Sequence, residues 1–148
     1  TIYRSGTPAL ANITTTSLAL KFATSNLNTR IKYISTLKQH LINSLKDKKY
    51  IHLNSVTNSI PNTLNLSLIN INNQEVLEKL EEKEIYLSAT SACSLKNSIS
   101  KSVFAITNSK ALASNSIRIS LSHLTTKEEI DKFILIFTKI CEELYENN

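Results

Sequence analysis

Two runs of sequence decide the fold. The first is Ile85-Tyr86-Leu87-Ser88-Ala89-Thr90-Ser91-Ala92-Cys93-Ser94 and the second, after a polar interval, is Ser116-Ile117-Arg118-Ile119-Ser120-Leu121-Ser122. Ile85 to Leu87 reads as a short apolar strand, followed by a loop of small residues that carries a cysteine. In the second run Ile117, Ile119 and Leu121 alternate with Arg118 and Ser120, the period-two pattern of a strand with one buried face. The alternation puts Arg118 on the face opposite its apolar neighbours, where a charge can be presented to a ligand instead of being lost in the core. Most free cysteines are buried as small hydrophobes, whereas a thiol on a loop of Ser, Ala and Asn can be exposed and reactive.

Working outward, Thr125 with Glu128, or Thr126 with Glu129, forms a capping box. It opens a last helix whose Ile130, Phe133, Ile134, Phe137, Ile140, Cys141 and Leu144 make one apolar stripe, so Cys141 reads as a packing residue. Before the cysteine loop, Leu64, Leu66 and Leu68 alternate with Asn65 and Ser67 as a half-buried strand. Asn72 or Asn73 caps a helix from Gln74 to Lys83. Asn58 to Asn62, with Pro61 inside, is a turn, and Tyr50 to Leu53 a short strand. Pro8 is placed to open a helix at its first turn. A long helical region then runs to about Lys46, with a break near Ser25-Asn26. Its first half carries Leu18, Ala19, Phe22 and Ala23. Its second half buries one face through Ile31, Ile34, Leu37, Leu41, Ile42 and Leu45. Between the two deciding runs, Ser102 to Ile106 forms a short helix. This order predicts an α+β fold, with helices packed on one face of a small, mostly antiparallel sheet.

At 148 residues and 41% hydrophobic composition, the chain is the size of one domain with a real core. Its net charge of +5 permits an acidic partner. The lysines are scattered and no aromatic residues interleave with them, so no nucleic-acid footprint is expected. No apolar run approaches the ~20 residues of a membrane span, and Thr1-Ile2-Tyr3-Arg4 does not read as a secretory leader. Two cysteines in unlike contexts form no disulfide framework, which favours a reducing cytoplasm. His40, His52 and His123 share no ligand spacing with each other or with the cysteines, so no metal site is expected.

Three stretches in order, spread over nearly the whole chain, resemble the C-terminal part of cysteine desulfurases of the NifS/IscS-like group, in the class V aminotransferase family. They are Arg4-Ser5-Gly6-Thr7-Pro8 before a long helix, Ser91-Ala92-Cys93-Ser94 after a strand, and Ser116-Ile117-Arg118-Ile119-Ser120-Leu121 leading through Thr125-Thr126 into the last helix. The separation of 25 positions from Cys93 to Arg118 fits the members with a long cysteine loop. The resemblance implies the C-terminal small domain of a fold-type I enzyme in which pyridoxal phosphate acts as electron sink on L-cysteine. Cys93 would then take the substrate sulfur as a persulfide and release L-alanine. A free thiol with a pKa of about 8.5 is mostly protonated at neutral pH, so that role requires activation from the cofactor site or a nearby base. Arg118 would grip the substrate carboxylate, a task for a planar two-pronged donor. Thr7 would reach the cofactor phosphate of the neighbouring subunit in a homodimer. A sulfur-acceptor protein, such as an iron–sulfur scaffold, would unload the persulfide.

The same resemblance implies that the Schiff-base lysine and the large cofactor-binding domain would precede residue 1, leaving this chain alone inactive. The sequence departs from the family where Thr90 replaces a glycine before Ser-Ala-Cys. It departs again where Ser122 and His123 stand in place of a glycine after Ser-Leu, and where Ala9 stands for an asparagine. Each lost glycine stiffens a place where the family bends. Two other readings stay open: a non-catalytic binding or dimerisation module of the same fold, and another class V aminotransferase or lyase that uses Arg118 but not Cys93.

Overall fold

The computed structural model describes residue 6 and residues 8–55, 58–89 and 99–147. The helical region divides where the sequence predicts, at Asn26, into α1 (Leu10–Ser25) and α2 (Leu27–Leu45). Ile34, Leu37, Leu41 and Leu45, at three-and-four spacing, turn one side of α2 inward. Ile31, expected on that side, is exposed because it lies a turn ahead of the packed region, and Ile42 only borders the core. None of the residues of α1 is buried, and Phe22 is 69% exposed.

Three strands follow the α2 turn in a single antiparallel sheet: β1 (Ile51–Leu53), β2 (Thr63–Leu68) and β3 (Ser116–Ser120), in the order β1-β2-β3. Ile51 lies opposite Leu68, and Leu66 opposite both Leu53 and Ile117. The register therefore gathers the apolar residues of every strand on one face. Beneath it pack α2 and two further helices, α3 (Asn73–Glu81) and α6 (Lys127–Glu146), which supply Val76, Leu80, Phe133 and Phe137. The predicted α+β layer is the observed one. Two short helices, α4 (Lys101–Thr107) and α5 (Lys110–Ser114), lie between the cysteine loop and β3. α5 closes one end of the sheet's other face.

Caps fix the helix starts. Asn72 Oδ1 accepts from the Gln74 amide at 2.8 Å, and Thr126 with Glu129 forms the reciprocal capping box. Thr125, the alternative cap, instead accepts the Ser122 amide. Three long-range contacts tie α2 and the turn after it to α6 and the turn before it: the Tyr33 hydroxyl to the Thr125 carbonyl (2.8 Å), His40 Nε2 to Asp131 Oδ1 (2.6 Å), and Lys48 Nζ to Glu142 Oε1 (2.9 Å). These contacts advance in the same direction along both helices, so α2 and α6 run parallel. Lys38, buried on α2, donates to Ser59 Oγ and the Ile60 carbonyl and so holds the turn before β2. Burial without a carboxylate partner lowers its pKa.

The predicted strand at Ile85–Leu87 does not form. Glu84, at φ 59°, turns the chain off α3, Tyr86 is exposed, and only Ser88 pairs, as a single bridge to Arg118. Among the described residues no helix is long and apolar enough to cross a membrane.

Candidate functional site

Arg118 sits at the middle of β3 between buried Ile117 and Ile119, with its own side chain exposed on the opposite face. Among the described residues no carboxylate pairs with its guanidinium. It has a neighbour on each side in the sheet. Asn65 of β2 lies directly opposite it. On the outer edge, the Arg118 amide donates to the Ser88 carbonyl at 2.7 Å, and the Ser88 amide returns to the Arg118 carbonyl at 3.4 Å.

That bridge gives the cysteine loop its first anchor, because Ser88 precedes Cys93 by five residues. The second anchor is on α5, where the Ser100 amide donates to the Ala113 carbonyl at 2.9 Å. Both stems are thus bonded to the segment that carries Arg118. Cys93 itself, Thr7 and residues 90–98 lie outside the described residues, so of the three sequence-predicted site residues the structure places Arg118. Gly6, beside Thr7, has φ 124°, a conformation that other residues rarely adopt.

Behind Arg118 lies a polar cluster. Asn54, only 6% exposed, donates through Nδ2 to Asn65 Oδ1 and to Ser67 Oγ, each at 2.7 Å. The fully buried Ser67 hydroxyl donates in turn to the Leu112 carbonyl of α5 at 2.8 Å. Asn54 Oδ1 is buried without a partner among the described residues. The sequence marked Asn65 and Ser67 only as the polar half of an alternating strand. Asn54 sent no signal, because its partners are 11 and 13 residues away.

Cys141 is fully buried on α6, and burial, with Glu142 adding to it, pushes its thiol up to about 12. His123 is exposed after β3. Among the described residues no group of three or more His, Cys, Asp or Glu is placed to hold a metal ion.

The family described as Aminotransferase class-V matches residues 1–133. A cysteine desulfurase IscS of Buchnera aphidicola subsp. Baizongia pistaciae is 36% identical over 130 residues, which cover 86% of this chain and 32% of that protein. A cysteine desulfurase IscS of Serratia proteamaculans is 34% identical over 92% of this chain and 34% of its own length. The crystal structure of a NifS-like protein from Rickettsia africae superposes with a TM-score of 0.74 at 29% identity, over 94% of this chain and 36% of that one. The chain thus spans about a third of the length of the relatives it matches.

Proposed function

The chain belongs to the class-V aminotransferase family, and from that membership we propose that it is the C-terminal small domain of a cysteine desulfurase. The observation that carries the reading is Arg118, a guanidinium on the polar face of the sheet with no carboxylate partner among the described residues, its backbone bonded through Ser88 to the stem of the cysteine loop. Ser88 stands five residues before Cys93 in the sequence, which supports assigning the two residues to one site. In this role the Arg118 guanidinium forks around the carboxylate of L-cysteine and orients its sulfur. The Cys93 thiolate attacks that sulfur. A sulfur–sulfur bond forms as the substrate Cβ–S bond breaks, its electron pair stays on carbon, and a proton completes the methyl group of L-alanine. The persulfide left on Cys93 passes to a thiol of an acceptor protein, such as an iron–sulfur scaffold.

Pyridoxal phosphate, when bound, supplies the electron sink for that bond cleavage. The donors on the Arg118 face suit the substrate rather than an attachment point for the cofactor, since none of the three strands contains a lysine. The linking lysine then belongs to the remainder of a longer protein, with Thr7 contributing to the cofactor phosphate across a homodimer. α1 supports a larger assembly: Leu10, Ile13, Leu18, Leu20 and Phe22 are all exposed, and a helix with apolar residues around its circumference is one that other protein covers. We assign that cover to the cofactor-binding domain, and the whole protein to the cytoplasm.

The test uses the full-length protein with its cofactor. Cys93→Ala should abolish sulfide release while keeping the cofactor absorbance, and Arg118→Ala should raise KM for L-cysteine at least about tenfold. Sulfide release that survives Cys93→Ala removes Cys93 from the reaction, and an unchanged KM in Arg118→Ala removes the carboxylate grip.

A further inference from the structure

We propose that Asn65 is a second donor to the substrate carboxylate, standing beside Arg118 and aimed by Asn54. The inference rests on the desulfurase reading above and adds a binding residue to it.

Register brings the two side chains together. Asn65 and Arg118 are directly opposed on neighbouring antiparallel strands. Such pairs project from the same face with Cβ atoms about 4.5–5.5 Å apart. A carboxylate spans that gap with its two oxygens and about four lone-pair positions.

The polarity of the Asn65 amide follows from a one-way chain of hydrogen bonds. The Leu112 carbonyl has no proton, so the Ser67 hydroxyl must donate to it. Ser67 Oγ is then left as an acceptor, which obliges Asn54 to present Nδ2 to it. The other proton of the same Nδ2 goes to the neighbouring Asn65 side chain, so that side chain must offer Oδ1. The oxygen of Asn65 is consumed inside the cluster and its Nδ2 is turned away from it. Among the described residues that Nδ2 has no acceptor. Because Asn54 is almost entirely buried and Ser67 fully so, solvent does not readily reset the chain from behind.

The face therefore offers a fixed amide NH2 next to a guanidinium, with no carboxylate from the described residues between them. From these two side chains only donors are offered outward, an arrangement that calls for an anion. The half-buried setting of Asn65 strengthens a hydrogen bond to that anion relative to one made in open water.

The experiment uses the full-length holoenzyme with Asn65→Ala and Asn65→Asp. Asn65→Asp keeps the size and the acceptor that Asn54 needs, but loses both donors and adds a negative charge facing the substrate. KM for L-cysteine should rise roughly tenfold or more in Asn65→Ala, and further in Asn65→Asp. kcat should stay within about twofold and the cofactor absorbance should not change. With cysteamine, which lacks the carboxylate, binding followed by the cofactor absorbance should be the same in wild type and Asn65→Ala. Equal weakening toward L-cysteine and cysteamine would overturn the assignment in favour of a structural role. Weakened retention of pyridoxal phosphate with unchanged KM would instead give the donors to the cofactor phosphate, and would also overturn it. If Arg118→Ala raises KM while both Asn65 variants leave it unchanged, Asn65 is excluded and the arginine grip survives. If Arg118→Ala leaves KM unchanged as well, the underlying reading fails with it.

Discussion

Ser67→Ala tests whether the buried polar chain behind Arg118 is energetically real. The substitution removes one oxygen atom from a fully buried position and keeps the Cβ that fits there. Two hydrogen bonds are lost, at 2.7 Å from Asn54 and at 2.8 Å to the Leu112 carbonyl. Burying a donor or acceptor without its partner costs about 1–3 kcal/mol, more than a hydrogen bond contributes on average. Asn54 Nδ2 keeps its bond to Asn65, so the loss falls in the middle of that range, about 2 kcal/mol. For a chain of this length the midpoint of thermal unfolding should drop by about 4 to 8 °C. The assay is thermal unfolding followed by circular dichroism at fixed protein concentration, repeated for Asn54→Ala and for the double variant. Since the two side chains share a bond, the double variant should be less destabilised than the sum of the singles by about 1 kcal/mol. A cost below about 0.5 kcal/mol for Ser67→Ala, or strict additivity in the cycle, would show that the chain neither stabilises the fold nor constrains the amide of Asn65.

Two further outcomes follow from the helix pair and its thiol. Lys127 first, and His40 second, hold the Asp131 carboxyl below its usual range. A depressed folded-state pKa stabilises the protein above the unfolded value of about 3.9, and that gain disappears as pH falls through the folded value. Asp131→Asn should therefore unfold at a lower temperature than wild type at pH 7, with the gap closing below about pH 4 and narrowing in about 1 M salt; a gap that persists undiminished at pH 2.5 would place the effect elsewhere. Cys141, with its thiol pushed up to about 12, should resist iodoacetamide at pH 8 until the chain is unfolded in urea, as read by mass spectrometry. Labelling within minutes under native conditions would contradict its burial.

The patterns that survived from sequence to structure were those carried by short-range periodicity. Alternation in Leu64–Leu68 and Ile117–Leu121 was enough to set strand faces, and hence to predict that Arg118 faces away from the core. The Thr126 and Glu129 box was legible because all of its atoms lie within one turn. Ile85–Leu87 misled because three apolar residues cannot reveal that a left-handed Glu84 re-aims the chain before they can pair. α1 was legible as a helix but not as an uncovered one, since apolar residues look the same whether their partner lies in the same fold or in another. The α5 helix, five residues long and short of apolar spacing, gave too little pattern to read. The Asn54 cluster could not be read at all, for its members meet only after β1, β2 and α5 have come together.

The anchoring of the cysteine loop has a consequence for how such proteins diverge. The Ser88 bridge and the Ser100–Ala113 bond fasten the two flanks of the cysteine loop to β3 and α5, which adjoin in sequence. Residues can be added or removed between the two fastenings without shifting β3 by a register step. A change of length between the two fastenings is thus absorbed there, while Arg118 keeps its place opposite Asn65 in the sheet.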